Sequence, residues 1–197
     1  MANNKDFVTQ IPEPKLSKLL FSDTRFAIIW LFVRLYVGWE WLMAGIEKIS
    51  GPSSVKWVGD QAGVAVKGFL TGALSKTSGA HPDVQGWYAA FIDNFALQHT
   101  VAFSHAVAWG ELFVGIGLLL GVFTGIAAFF GVFMNMNYLL AGTVSTNPTL
   151  FLLQLFLILG WRVAGWFGLD QFVLPKLGTP WHSGNIFKKK KPTSLME

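Results

Sequence analysis

Four charged side chains lie inside long apolar stretches of this sequence: Arg34, Glu40, Glu111 and Arg162. A charge near the middle of a lipid bilayer costs about 3 kcal/mol on insertion scales, so such residues usually face a protein interior, pair together or line a site. An arginine can hold a carbonyl or an anion, and a desolvated glutamate can accept protons. We therefore expect Arg34, Glu111 and Arg162 to form one polar cluster inside a helix bundle, as candidate catalytic residues.

A structural explanation of the same residues stays open. Arg162 could reach the lipid surface with its long side chain, and Glu111 could simply join two helices. Glu40 follows Arg34 by six residues, about 240° around a helix and about 9 Å along it, so those two cannot pair directly. We include Glu40 among the candidate substrate-binding residues.

A histidine and a tryptophan one helical turn apart, His105 and Trp109, form a second candidate binding feature. Such a pair near the membrane interface could bind a quinone head group, and structural hydrogen bonding is the alternative. The four histidines show no spacing typical of a metal site, so we predict none. The sequence has no cysteine, which excludes disulfides, thiol catalysis and thiolate-bound iron–sulfur clusters within this chain.

Four apolar segments are long enough to position these residues across a bilayer. They cover residues 26–45, 101–122, 123–144 and 149–168, each close to the roughly 20 residues that cross a hydrocarbon core. The links between the last three are short, which makes them antiparallel neighbours. With 52% hydrophobic residues and a mean hydropathy of +0.46, the sequence predicts an all-α fold, an integral membrane four-helix bundle.

The long loop between the first and second spans, about residues 46–100, predicts short amphipathic helices. Apolar residues recur there at three- and four-residue steps, over residues 58–73 and 87–95. The lysines and arginines that flank the spans are concentrated before the first span and after the fourth. We therefore expect a multi-pass protein of the cell membrane with both termini cytoplasmic and this loop extracytoplasmic.

The predicted organisation has three parts: a cytoplasmic N-terminal segment (1–25), the membrane domain (26–175) and a basic cytoplasmic tail (176–197). Four consecutive lysines at 188–191 suit the anionic headgroups of the bilayer. The formal net charge is only +4 and no basic domain accompanies the lysine run, so nucleic-acid binding is not expected.

Several runs of residues resemble the DoxX/DoxD membrane family. RLYVGWEWLMAGIEK at 34–48 looks like its first helix, and GELFVGIGLLLGVFTG at 110–125 looks like its second helix and the following turn. MNMNYLLAG at 134–142 and GWRVAGWFGLD at 160–170 are similar to its third and fourth helices. GAHPDVQGW at 79–87 is similar to the longer, DoxD-like branch.

The resemblance implies the membrane subunit of a thiosulfate dehydrogenase (quinone), which oxidises thiosulfate to tetrathionate and passes the electrons to membrane quinone. It also implies a DoxA-like second subunit or another redox partner, and we expect a homo- or hetero-oligomer. A thiosulfate dianion would be drawn to cationic groups, and Lys48 and His81 are the candidates on the loop side. Arg34 and Arg162 suit a quinone carbonyl or a lipid phosphate better, and Glu111 could exchange protons with the quinol.

Two other functions compete with this one. The first is a non-catalytic DoxX-type scaffold that anchors a redox or detoxification complex in the membrane. The second is transport of an ion or small molecule through the polar bundle, although the sequence lacks the paired broken helices of many transporters.

Overall fold

The computed structural model describes residues 12–178, and every regular element in that range is a helix. The helices are α1 (Lys15–Ser22), α2 (Ala27–Ser50), α3 (Ser54–Trp57), α4 (Val64–Leu74), α5 (Gly86–Asn94), α6 (Thr100–Leu120), α7 (Thr124–Leu140), α8 (Asn147–Leu159), α9 (Trp161–Ala164) and α10 (Asp170–Val173). Short 3₁₀ turns occur at Thr24–Phe26, Ala96–His99 and Leu174–Leu177. The predicted all-α class is confirmed, while the lysine run at 188–191 lies outside the described residues.

Two described stretches are long and apolar enough to cross a membrane by length and composition, Thr24–Ser50 and Gly86–Leu120. α7 and α8 are apolar but contain 17 and 13 residues, or about 26 and about 20 Å at the helical rise per residue. The predicted spans 123–144 and 149–168 are therefore too long. α8 ends early because Gly160, a poor helix former, interrupts it, and only the single turn α9 follows.

α2 and α6 pack closely because glycines let their backbones approach. A Cβ atom on Gly45 would lie 2.5 Å from the backbone nitrogen of Leu112, and one on Gly115 would lie 2.4 Å from that of Leu42. The core that these helices share with α7 and α8 is buried at Val37, Leu118, Ala128 and Leu157. Arg34, Gly38, Trp41 and Gly45, which share one face of α2 at three- and four-residue steps, are all buried.

The segment between α2 and α6, residues 51–99, folds over one end of these helices, and we call it the cap. α4 and α5 pack together around an apolar cluster that includes Leu70 and Ile92 and reaches Ala141, just after α7. The ammonium group of Lys76 donates to the carbonyl oxygen of Gly142 at 2.7 Å, which fastens the cap to the same end. The prediction of short helices in this segment is confirmed.

At the other end of α2, the short helix α1 is held by aromatic side chains. Trp30 Nε1 donates to the carbonyl oxygen of Leu20 at 2.7 Å. The ring of Phe21 stacks on Trp30 and on Phe156 of α8, with ring centroids 5.6 and 6.4 Å apart. These contacts fix α1 against the helix that carries Arg34.

Candidate functional site

Arg34 is fully buried at the end opposite the cap, where α6 turns into α7. Its Nη1 atom donates to the carbonyl oxygens of Leu118 at 2.6 Å and Leu119 at 3.2 Å, and its Nη2 atom donates to that of Phe167 at 3.1 Å. The last carbonyl groups of a helix have no partners within the helix. The guanidinium group supplies those partners and joins the end of α6 to the segment after α9.

Asp170 completes the same turn from the other side. Its carboxylate is buried and accepts hydrogen bonds from the backbone amides of Phe123 at 2.6 Å and Thr124 at 2.9 Å. These amides stand at the start of α7, where free N–H groups and the helix dipole favour a negative charge. The Asp170 amide in turn donates to the carbonyl oxygen of Gly121 at 2.7 Å. Arg34 and Asp170 therefore stabilise the two helix ends that meet here.

The predicted cluster of Arg34, Glu111 and Arg162 does not form. The Arg162 side chain is 48% exposed, and its Nη1 atom lies 3.9 Å from a carboxylate oxygen of Glu13. Glu111 lies too far from Arg34, because the Leu118 carbonyl that Arg34 contacts is seven residues, or about 10 Å, further along α6.

Glu111 instead forms a polar group with Lys48 and Tyr138, which we call the triad. Its Oε2 atom lies 2.7 Å from Lys48 Nζ, and its Oε1 atom accepts a hydrogen bond from the Tyr138 hydroxyl at 2.7 Å. The side chains of Glu111 and Lys48 are 3% and 15% exposed. The triad joins α2, α6 and α7 close to the cap. It contains two predicted site residues, and the sequence prediction did not place them together.

Aromatic rings enclose the triad. The Lys48 ammonium lies 5.0 Å from the ring centroid of Trp57, a cation–π arrangement with the cap. The Tyr138 ring stacks on Trp41 at 6.4 Å and meets the edge of Phe69, also in the cap, at 6.0 Å. The environment that surrounds these polar atoms is therefore apolar on both the α2 side and the cap side.

A cleft of about 1130 Å³ lies against the triad, with α6 and α7 as its walls and part of α2 behind them. Lys48, Glu111 and Tyr138 all line it, and most of the remaining lining is apolar, including Phe113, Ile126 and Phe130. Binding sites for small molecules are typically of this kind, with an apolar wall and a few convergent polar groups.

A second polar group lies behind Trp41 in the core. The amides of Asn135 and Gln154 are hydrogen-bonded at 2.7 Å, and both side chains are fully buried. With both amides oriented to suit their neighbours, the Gln154 oxygen accepts from Trp41 Nε1 at 2.7 Å, and its nitrogen donates to the Leu150 carbonyl at 3.1 Å and to the Asn135 amide, which then presents its oxygen. Asn135 therefore joins α7 to α8.

The other predicted binding residues lie apart from the triad's hydrogen bonds. Glu40 is half-buried and lines the cleft two turns before Lys48. His105 is half-buried, and the exposed ring of Trp109 stacks on Phe113 rather than on this histidine. His81 is exposed in the cap. Within residues 12–178, no group of three or more His, Asp or Glu side chains is placed to hold a metal ion.

Sequence reasoning missed Tyr138, Gln154 and the role of Asp170. Gln154 offered a signal, because it is the only polar side chain between Leu150 and Leu159 in α8. A lone amide in an apolar helix must find a partner inside the protein. Tyr138 offered none, since a tyrosine near a helix end is common at membrane interfaces.

Comparison with protein families gives one match. A family model described as DoxX matches residues 29–142, which is more than half of the chain. The matched range contains all three triad residues and Arg34, and it ends before Gln154 and Asp170. No curated protein and no solved structure matches the chain.

Proposed function

This chain belongs to the DoxX family, and we propose that it is the quinone-reacting membrane subunit of a thiosulfate dehydrogenase. In this proposal α2, α6, α7 and α8 cross the bilayer of the cell membrane as a four-helix bundle. The cap lies on the extracytoplasmic side, and both termini lie in the cytoplasm. The shorter helices α7 and α8 are compatible with this arrangement, because a bilayer thins locally around a short apolar helix.

The observation that carries the proposal is the triad at the edge of an apolar cleft. A quinone needs an apolar site for its ring and hydrogen-bond donors for its carbonyl oxygens. The Lys48 ammonium is such a donor on one side of the Glu111 carboxylate, and on the other side the single hydroxyl proton of Tyr138 is donated to that carboxylate. Glu111 can hold a proton and release it, which reduction of a quinone requires.

The proposed reaction balances with two thiosulfate ions for each quinone. A new sulfur–sulfur bond joins the two thiosulfates into tetrathionate and releases two electrons. The quinone takes up these electrons together with two protons, one at each oxygen. Glu111 supplies one proton pathway, Tyr138 holds the Glu111 carboxylate in place, and Lys48 stabilises the charge that develops on the quinone oxygen it faces.

The thiosulfate half of the proposal rests on the resemblance of residues 79–87 to the DoxD branch. Lys48 and His81 are the candidate cationic residues for binding the thiosulfate dianion. Because the chain has no cysteine, electrons pass either directly from the bound donor to the quinone or through a DoxA-like partner subunit. Arg34 and Arg162 take no part in the proposed chemistry, since the first holds backbone carbonyls and the second lies at the surface.

The test is thiosulfate-dependent reduction of decylubiquinone by the purified protein, alone and after addition of native membrane extract. Glu111→Gln should lower the rate about 100-fold, as loss of a general acid–base group typically does. Tyr138→Phe should also lower it. Glu47→Gln and Tyr36→Phe are the matched controls, because these residues are exposed on α2, and both should keep the wild-type rate.

Full turnover in Glu111→Gln and in Tyr138→Phe would refute the assignment. Turnover only with extract would place the donor site on a partner. A complete lack of thiosulfate-dependent turnover would favour the second candidate, a non-catalytic scaffold.

A further inference from the structure

We infer that Gln154, with Asn135, is a positioning residue for the triad. It acts through Trp41, whose ring packs against Tyr138, and so fixes the hydroxyl that donates to Glu111. The expected effect on turnover rests on the proposed function, whereas the expected effect on the Tyr138 hydrogen bond is independent of it.

The first step of the argument is the position of Gln154 in the core. It is fully buried on α8, and its amide crosses α7 to reach Trp41 on α2. The crossing is possible because residue 131 is a glycine. A Cβ atom there would overlap the Gln154 amide and would lie 3.3 Å from Trp41 Nε1.

The second step is what the hydrogen bonds do to Trp41. A buried indole N–H without a partner costs about 1–3 kcal/mol, so the bond to Gln154 strongly favours one orientation of the ring. Asn135 holds the Gln154 amide in turn, because in this orientation it accepts a hydrogen bond from the Gln154 nitrogen. In that orientation the Trp41 ring covers one face of Tyr138, while Phe69 of the cap contacts it from another direction.

The third step links this orientation to the site. The Tyr138 hydroxyl reaches Glu111 only while its ring stays between these two neighbours. Glu111 also needs this hydrogen bond, because its carboxylate is almost completely buried. A change at Gln154 should therefore alter the Tyr138 hydrogen bond although the two side chains are on different helices.

The direct test is practical because the protein contains only three tyrosines. In a Tyr36→Phe, Tyr88→Phe background Tyr138 is the sole tyrosine, and its ultraviolet resonance Raman doublet reports whether its hydroxyl donates a hydrogen bond. Gln154→Leu, which keeps the side-chain volume, should shift the doublet away from the donor pattern. Gln98→Leu, an exposed control, should leave it unchanged. An unchanged doublet in Gln154→Leu would overturn the inference.

The second readout is a double-mutant cycle on quinone reduction. We expect Gln154→Leu to lower kcat about tenfold, and to cause no further loss when Tyr138→Phe is already present, because both act through the same hydroxyl. Losses that multiply would show a general structural role and contradict the inference. A shifted doublet in a protein without turnover would keep the positioning role and reject the proposed function. An unchanged doublet with normal turnover would reject the positioning role and keep the proposed function.

Discussion

At the scale of single residues, the buried charges of this protein have separate tasks. Glu111 pairs with Lys48 beside the cleft, whereas Arg34 donates to backbone carbonyls at the opposite end. In both arrangements, a charged group in an apolar interior has polar partners. Only the first leaves polar atoms on the wall of a cleft, and this difference is why the proposed chemistry uses Glu111 and Lys48 rather than Arg34.

Arginine-to-methionine substitutions should separate the structural arginine from the surface arginine. Arg34→Met removes three hydrogen bonds from a charged donor and leaves helix-end carbonyls unpaired, so we expect a loss of about 3 kcal/mol or more in the free energy of unfolding. Arg162→Met should change it by less than about 0.5 kcal/mol, because exposed ion pairs contribute little.

The measurement is reversible denaturation of both variants in detergent, followed by circular dichroism. Equal losses for the two arginines would contradict the assignment of Arg34 to the α6–α7 turn.

At the scale of helices, the contact between α2 and α6 positions the triad. Gly45 and Gly115 bring the two backbones together, and Lys48 follows Gly45 by one turn of α2 while Glu111 precedes Gly115 by one turn of α6. The spacing of two glycines on antiparallel helices therefore sets the distance that the ion pair spans. A wider separation would leave two buried charges unpaired, which is costly.

Glycine-to-alanine substitutions test this contact against a matched position. A Cβ on Gly115 would overlap the backbone of Leu42, so Gly115→Ala should destabilise the protein by about 1–3 kcal/mol. Gly68→Ala in α4 meets no atom within 4 Å and should be neutral or stabilising by up to about 1 kcal/mol.

Thermal midpoints of the two variants in the same detergent provide the comparison. A Gly115→Ala protein as stable as Gly68→Ala would mean that the two helices can move apart without cost.

At the scale of the whole molecule, polar groups concentrate at two levels along the helices. The triad lies near the cap, and the Arg34 and Asp170 turn lies at the far end, with the core of apolar side chains and the Gln154 network between them. The cap contributes Trp57 and Phe69 to the surroundings of the triad. Under the proposed topology, the triad therefore belongs to the extracytoplasmic half of the membrane, and the cleft continues from it along α6 and α7 to Val122 and Phe123.

Cysteine labelling can test this orientation directly, because the chain contains no cysteine of its own. Ser78→Cys places a thiol in the exposed part of the cap, and Ser194→Cys places one in the C-terminal tail. A membrane-impermeant maleimide should label the first in intact cells and the second only after permeabilisation, since lysines and arginines favour the cytoplasmic side. Labelling of both from outside would contradict the proposed topology.

The sequence predicted what depends on local pattern. The apolar stretches and their periodicity predicted helices in the right order, the short helices of the cap, and the burial of Arg34 inside the protein. These features follow from burial of apolar surface, which each segment shows in its own residues. Helix ends were less predictable, because the stop at Gly160 depends on a single residue in an apolar run.

Only the tertiary structure decided which polar groups meet. The sequence predicted a cluster of Glu111 with two arginines, yet Glu111 pairs with Lys48, since the rotation and height of each helix depend on glycine contacts with its neighbours. The connection of Gln154 to Trp41 likewise crosses three helices and depends on the absence of a side chain at Gly131. One-dimensional spacing fixes the face of a helix on which a residue lies, but the partner on the next helix depends on how the two pack.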